Sequence, residues 1–263
     1  MKTLGIQVRR VLVAGVALVA LTVGLAAELA QIPLPAPDKK RGLPFMETLA
    51  VRASATEYAE RELSRQDLAD LLWAACGVNR PESGKITAPS AMNSQDIDVY
   101  VLLREGAFRY EAAGHRLIPV VAGDLRGQIM MARPPRPAGA PAGGPTPPMP
   151  GVAGAPGAPG APAAPPPPGG TGMTRVPPPP QNPPVQLLLV SETARFRFGT
   201  PELKAEWAAY DAGIVSQNIS LFCAATGLRT RPRAALDKQK THTLLSLKES
   251  QLVLLNHPVG YAK

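Results

Sequence analysis

The feature that most restricts how this chain can fold is a block rich in proline and glycine between Arg133 and Pro184. The block holds 21 of the 31 prolines and 10 of the 24 glycines, with Gly-Ala-Pro repeats and two four-proline runs. Such a composition buries too little apolar surface to offset the entropy of ordering it. We therefore predict a solvated, disordered insertion, part polyproline II and part coil, with folded sequence on both sides.

The N-terminus has the pattern of an export signal. Lys2, Arg9 and Arg10 form a basic region, and residues 11–27 form a short apolar run that ends in small residues. This run is short for a membrane span, so a cleaved signal peptide is favoured over a permanent anchor. We expect a signal over residues 1–30, a linker over residues 31–45, and a periplasmic or secreted protein without a stable membrane anchor. Export by the general or the twin-arginine route stays open.

Charge and cysteine usage exclude some classes of site. The formal net charge of +8 is scattered, and aromatic residues make up only 5% of the chain, so nucleic-acid binding has little support. Cys76 and Cys223 lie in apolar helical sequence and are predicted to be buried thiols. Because the three histidines are widely separated, we expect no metal site.

The sequence before the insertion predicts a helix, a strand and a hairpin. Ser64 can cap the helix, with Asp67 at the capping-box position and Gly77 as the stop signal. The apolar run "DVYVLL" indicates a buried strand, and "GAFRYEAAGHRLIPV" indicates a β-hairpin that turns near Gly114. Residues 46–132 are the first part of the predicted domain.

The sequence after the insertion, residues 185–263, completes the alternation of helices and strands. "VQLLLV" predicts a second buried strand, and a long helix follows between the cap Thr200 and the terminator Gly227, with Pro201 at its first position. A shorter amphipathic helix and a final strand, "QLVLLNHPVGYAK", end the chain. This order favours an α+β fold in which helices wrap a sheet.

The loop "APSAMNSQ" before the first strand could serve a flat ligand, because its small side chains leave backbone N–H groups and amides accessible. An ordinary turn before a strand has the same composition. The common catalytic patterns, such as GxSxG, a P-loop or GxGxxG after a strand, are absent from the sequence. An enzyme built this way would take its reactivity from a cofactor.

The order of several segments resembles the nitroreductase-like FMN-dependent oxidoreductases, and within them the short branch that includes SagB-type dehydrogenases. The segments are "LLWAACGVNRP…APSAMNSQDIDVYV", "GDLRG", "DAGIVSQNISLFCAATGL" and "NHPVGYAK". The resemblance covers residues 46–263 apart from the insertion. It implies an α+β sandwich that forms a homodimer, with FMN in clefts at the interface and hydride passing from NAD(P)H to a nitroaromatic, quinone or similar acceptor.

The resemblance also implies which residues bind FMN. Pro89, Ser90, Ala91 and Asn93 match a loop that reaches the flavin of the partner subunit. Arg52 and Ser54 match an Arg-x-Ser-x-Arg/Lys motif that holds the phosphate, while Thr56 departs from that motif because it carries no charge.

Two further matches are weaker. Arg233 and Ala234 replace the residue-glycine pair whose backbone faces flavin N5, and Pro232 removes one donor there. Lys263 is the candidate for a basic residue beyond the last strand.

We interpret the chain as an enzyme, the first of three functions, and keep the other two as alternatives. The first is an exported FMN-dependent oxidoreductase with small-molecule electron donors and acceptors. The second is a relative that keeps the fold, has lost FMN and acts as a periplasmic binding or assembly protein, which the changes at Thr56 and Arg233 favour. The third is a surface protein whose proline-rich segment is the working part, although core motifs on both flanks of that segment argue against it.

Overall fold

A computed structural model describes residues 29–131 and 183–263 of the chain. Most of the predicted signal and most of the predicted insertion lie outside the described residues. In the described ranges, no helix combines the length and apolar character needed to cross a bilayer. The helices are α1 (Phe45–Val51), α2 (Arg65–Cys76), α3 (Pro201–Thr226) and α4 (Lys238–Leu244). The strands are β1 (Ile32–Pro33), β2 (Val78–Arg80), β3 (Lys85–Ile86), β4 (Ile97–Leu102), β5 (Gly106–Glu111), β6 (Arg116–Ala122), β7 (Val185–Glu192), β8 (Leu228–Thr230) and β9 (Gln251–Tyr261).

The main sheet contains strands from both sides of the insertion, in the order β1-β6-β5-β4-β7-β9-β8. All neighbouring strands in it are antiparallel. β4 pairs with β7 from Ile97↔Ser191 to Leu102↔Gln186, so the two parts of the sequence meet at the centre of one sheet. The predicted α+β fold is confirmed, and β5 and β6 form the predicted hairpin.

Helix α3 begins and ends where the sequence predicts. The Thr200 side chain accepts a hydrogen bond from the backbone N–H of Leu203, Pro201 is the first helical residue, and Gly227 has a left-handed φ of 77°. The helix packs against α1, α2 and the sheet. Its inner side belongs to a core that also contains α2 and alternate residues of the central strands, and its members on α3 are Ala212, Val215, Ile219 and Cys223.

Helix α2 also has its predicted cap. Ser64 Oγ accepts from the backbone N–H of Asp67, 3.0 Å away, and donates to the Asp67 carboxylate at 2.6 Å. Gly77 ends the helix with φ −73°, a conformation open to any residue. Glycine is needed there for space, since a Cβ atom would lie 2.4 Å from the Trp73 ring.

Two segments differ from the predicted boundaries. Residues 31–45, predicted as a linker, contribute β1 to the edge of the sheet and supply partners for the buried Asp70. The Asp70 carboxylate accepts from the backbone N–H of Asp38 and from the Arg41 guanidinium, at 2.7 and 2.8 Å. At the end of the insertion, residues 183–184 are buried, and their carbonyls accept hydrogen bonds from the buried Arg126 guanidinium.

Both cysteines are buried free thiols, as the sequence predicts. Burial raises the pKa of Cys76 to about 12 and raises the pKa of Cys223 as well, so both thiols stay protonated at neutral pH.

Candidate functional site

The predicted site residues fall into two groups at different heights along α3. Pro89, Ser90, Ala91 and Asn93 lie beside Asp211, whereas the segment that contains Arg52 and Ser54 lies beside Cys223. Twelve helical residues separate these two levels, which corresponds to about 18 Å along the helix axis. The structure therefore does not bring the two groups together within one chain.

The loop over residues 88–95 has a fixed backbone. The N–H of Ala91 donates to both carboxylate oxygens of Asp211, at 3.0 and 2.9 Å, and the N–H of Gln95 donates to Ser90 Oγ at 2.8 Å. Met92, Asn93 and Gln95 have left-handed φ angles of 54°, 53° and 46°. Left-handed residues other than glycine are uncommon, and they persist where surrounding contacts hold them.

A pair of buried carboxyl groups supports this loop from below. Asp211 is 4% exposed and hydrogen-bonds to Asp96, which is fully buried. Asp96 in turn accepts from Ser191 Oγ at 2.6 Å and from Ser94 Oγ at 3.2 Å. Burial, followed by the hydrogen bond with Asp96, raises the pKa of the Asp211 carboxyl to about 7. The hydrogen-bonded pair Asp211 and Asp96 therefore links the loop to α3 and, through Ser191, to the sheet.

The far end of the loop is held by Arg195. Its guanidinium donates to the backbone carbonyl of Gln95 at 2.7 Å and to both oxygens of Asp98 at 2.9 Å. Pro89, Met92 and Asn93 remain exposed. The loop thus presents a few side chains outward from a well-supported backbone.

The second group lies where the segment after α1 crosses β8 and β9. The N–H of Ala55 donates to the carbonyl of Thr230 at 2.9 Å, and the N–H of Ala59 donates to that of Tyr261 at 3.0 Å. Arg52 caps the end of α1, and the side chains of Arg52, Ser54 and Thr56 are exposed. A cavity of about 140 Å³ adjoins this crossing, and its lining includes Val51, Ala53, Ser220, Cys223 and Thr230.

Two arginines that follow β8 lie close to the buried Tyr58. Arg233 hydrogen-bonds to Tyr58, and burial, followed by the positive charge of Arg231, lowers the pKa of the Arg233 guanidinium. The Nε atoms of Arg231 and Arg233 are both buried without a hydrogen-bond partner. Sequence reasoning missed Arg231 and Tyr58, although the repeated arginines of "RTRPR" were a usable signal for the first.

The backbone N–H and carbonyl groups of Arg233 already have hydrogen-bond partners. Its N–H donates to the carbonyl of Asn256 at 2.8 Å, and the N–H of Asn256 donates back at 2.9 Å. Arg233 therefore cannot offer its N–H to a flavin in this conformation, and the exposed Ala234 is the remaining predicted residue for that role. Lys263 lies seven positions after Asn256 and two residues beyond the end of β9 at Tyr261.

A buried histidine connects this region to α3. His257 is fully buried, with Nε2 2.8 Å from Ser216 Oγ and Nδ1 3.1 Å from Thr230 Oγ1. Burial lowers the pKa of His257 to about 4, so the ring is neutral at pH 7. The sequence did not predict this network.

The comparisons with known proteins place this geometry in a family. The model of the nitroreductase family matches residues 49–143 and 173–261, more than half of the chain. Among curated proteins, none matches the sequence significantly.

Solved structures with the same fold extend that match. A protein assigned as a nitroreductase from Ralstonia eutropha JMP134 is 29% identical, with a TM-score of 0.67 over 91% of this chain and 92% of that one. A chain of the Escherichia coli microcin synthetase McbBCD complex is 15% identical, with a TM-score of 0.56 over 80% of this chain and 69% of that one. At this identity the two chains share the fold alone. This chain belongs to the nitroreductase family of flavin-dependent oxidoreductases.

Proposed function

We propose that the protein is an FMN-dependent oxidoreductase that works as a homodimer, with each site built from both subunits. The observation that carries this proposal is the separation of the two groups of site residues along α3. A second copy related by a two-fold axis would set the loop of one subunit beside the Arg52 group of the other. Neither group alone surrounds a ligand of the size of FMN.

An apolar surface on α1 and α3 supports the dimer. Phe45 and Met46 on α1 are 64% and 73% exposed, and Tyr210 on α3 is 59% exposed. Gly213 also lies on the outer side of α3, with no atom within 4 Å of a Cβ built there. Exposed apolar side chains of this kind are typical of surfaces that associate with a second subunit.

The residues at the site fit a phosphate-bearing cofactor. Arg52 supplies a permanent positive charge and Ser54 a hydroxyl, both on an exposed turn. The orphaned guanidinium nitrogens of Arg231 and Arg233 indicate that further donors there lack a partner. FMN, when bound, accepts a hydride and returns it.

The protein's own task would be to hold the phosphate and to position the flavin ring. The exposed side chains of Pro89 and Asn93 would contact the ring edge from the partner subunit, on a loop already fixed by Asp211. We propose a reduced donor such as NAD(P)H and an organic acceptor such as a nitroaromatic or a quinone.

Titration of the purified protein with FMN, followed by quenching of flavin fluorescence, tests this proposal. Arg52→Ala should weaken FMN binding about tenfold, because it removes a charge-assisted contact to phosphate. Thr56→Arg should strengthen binding by restoring a second charge. Asn93→Ala should change binding less, because backbone groups are expected to make much of the contact.

A variant at the subunit interface completes the test. Gly213→Arg places a long charged side chain on the outer side of α3 and should yield monomers by light scattering that no longer retain FMN. Leu203→Arg, at the exposed start of the same helix, is a matched charge control. If the parent shows no saturable quenching at micromolar FMN, the enzyme proposal fails and the flavin-free relative takes its place.

We also propose that the protein is exported, on the basis of the basic and apolar pattern of residues 1–27. Cleavage is expected between about Ala27 and Gln31, which would leave β1 in the mature chain. N-terminal sequencing of exported material would locate the new terminus. Material that still begins at Met1 would contradict this.

A further inference from the structure

The side chains of Arg231 and Arg233 form a concentration of positive charge without a counter-ion. In the described part of the chain, neither guanidinium forms an ion pair, and the ion pairs present involve other residues. The charge of Arg231 repels that of Arg233, and the neighbouring Tyr58 is a hydrogen-bond partner rather than a counter-ion, because burial raises the pKa of its phenol. Two guanidiniums that repel each other and are partly buried are unfavourable unless an anion lies between them.

The residues outside the described ranges include almost no acidic residue that could serve as a counter-ion to the two arginines. Residues 132–182 contain no Asp or Glu, and residues 1–28 contain only Glu28. A counter-ion from within the chain would therefore have to be this one residue. An external anion is the simpler source.

The surroundings of the pair favour a phosphate group. Guanidiniums bind phosphate through several parallel N–H donors, and the Nε atoms of both arginines lack a hydrogen-bond partner within the described residues. The segment that follows Arg52 and Ser54 crosses β8 at Thr230, directly before Arg231. Arg231 therefore directly follows the residue that hydrogen-bonds to the backbone of the predicted phosphate motif.

We propose that Arg231 and Arg233 bind a phosphate-bearing ligand and replace the charge that the family pattern has at Thr56. The identity of that ligand as FMN rests on the proposed function above. The pair would then discriminate FMN from riboflavin, which has the same ring system and no phosphate.

Flavin titrations of the parent and of the double variant Arg231→Gln/Arg233→Gln test the assignment. The variant should bind FMN about tenfold or more weakly, while riboflavin affinity stays within about twofold. Arg104→Gln, an exposed arginine on the β4–β5 turn, carries the same kind of charge change and should leave both affinities unchanged. An unchanged ratio of FMN to riboflavin affinity in the double variant would overturn the assignment and leave the proposed function standing.

Thermal unfolding with and without inorganic phosphate gives a second, independent measurement. In phosphate-free buffer the double variant should unfold at a temperature close to that of the parent, because relief of the repulsion between the two guanidiniums offsets the loss of the Arg233–Tyr58 hydrogen bond. Phosphate should raise the midpoint of the parent and leave that of the double variant unchanged.

If the parent binds no FMN but shows this phosphate effect, the proposed function fails and the phosphate site stands. Equal phosphate responses in the two proteins overturn the site. A double variant that unfolds without phosphate well below the parent also overturns it, since the arginines would then be structural.

Discussion

The two halves of the candidate site differ in how completely their polar groups are satisfied within one chain. In residues 88–95, the N–H groups of Ala91 and Gln95 have partners, and the supporting Asp96 accepts two serine hydroxyls. In residues 231–235, two buried guanidinium nitrogens have none. The first half is organised before any ligand arrives, whereas the second contains donors that a ligand would satisfy.

This difference separates two kinds of mutational effect. Changes beneath the loop should alter the free energy of unfolding whether or not a ligand is present, because the hydrogen bonds that they remove are internal to the chain. Changes at the two arginines should alter ligand affinity with little loss of stability. Unfolding measurements on variants of Asp211 test the effect of the hydrogen bonds that support the loop. Deletions next to residues 183–184 test the hydrogen bonds that support the residues around Arg233.

The largest effect is expected for Asp211→Ala. The variant removes both acceptors of the Ala91 N–H and the hydrogen-bond partner of the buried Asp96, so the free energy of unfolding should fall by about 2–4 kcal/mol. Urea unfolding of the FMN-free protein measures this loss.

Asp211→Asn is the matched control for this prediction. Its amide oxygen can still accept from Ala91, and its NH₂ group can donate to Asp96, so a loss of about 1 kcal/mol or less is expected. Equal losses in the two variants would show that the hydrogen bonds under the loop contribute little, and that packing at this position dominates.

Two deletions test the hydrogen bonds that support the backbone of Arg233 in the second half of the site. Asn256, which is bonded through its backbone to Arg233, donates through its side chain to Gln186 Oε1 at 2.7 Å, and Gln186 Nε2 donates to the carbonyl of Arg126 at 2.6 Å. Arg126 in turn donates to the carbonyls of residues 183–184.

Replacing residues 133–182 by a short Gly/Ser link should leave stability nearly unchanged, because closing a shorter loop changes the entropy only slowly with length. Extending the deletion to residue 184 should reduce stability by about 1–3 kcal/mol, since the buried Arg126 then loses two acceptors. Thermal unfolding of both variants decides the point. Insolubility of the shorter deletion would mean that the insertion itself supports the fold.

The sequence predicted the elements well because the signals for them are local. Caps and stops at Ser64, Gly77, Thr200 and Gly227 are each decided by a few neighbouring residues, and the structure confirms them. The hairpin β5–β6 and the last strand, β9, follow from apolar runs and a turn. The contribution of residues 31–45 to the fold was not predicted, because β1 has only two paired residues and Asp38 bonds to Asp70, 32 positions away. Neither contact leaves a local pattern in the sequence.

The candidate site was predictable only through the resemblance to a family. Arg52, Ser54 and the loop residues were identified that way, and no physical signal in the sequence showed that they occupy different levels of α3. The Asp96–Asp211 pair joins residues 115 positions apart, and the His257 network joins three separate elements. Such contacts depend on tertiary packing, which one sequence does not display.

The smallest net effect is expected in the pH dependence, where two buried groups oppose each other. The pKa of Asp211 is raised from 3.8 to about 7, so between these values the folded chain holds a proton that the unfolded chain has released. Stability from this group therefore falls as pH rises from about 4 to 7. The pKa of His257 is lowered from 6.5 to about 4, so stability from this group rises between those values.

Single variants should separate these two slopes, each at most about 1.4 kcal/mol per pH unit. Relative to the parent, Asp211→Asn should gain stability as pH rises from 4.5 to 7, because the amide has no proton to lose. His257→Gln should lose stability relative to the parent over the same rise, because the parent's gain from a neutral histidine is gone. Comparing each variant with the parent cancels the other carboxyl groups that titrate near pH 4. Parallel pH profiles for Asp211→Asn and the parent, from urea unfolding, would show that this proton is absent and that the loop is held by an ionised Asp211.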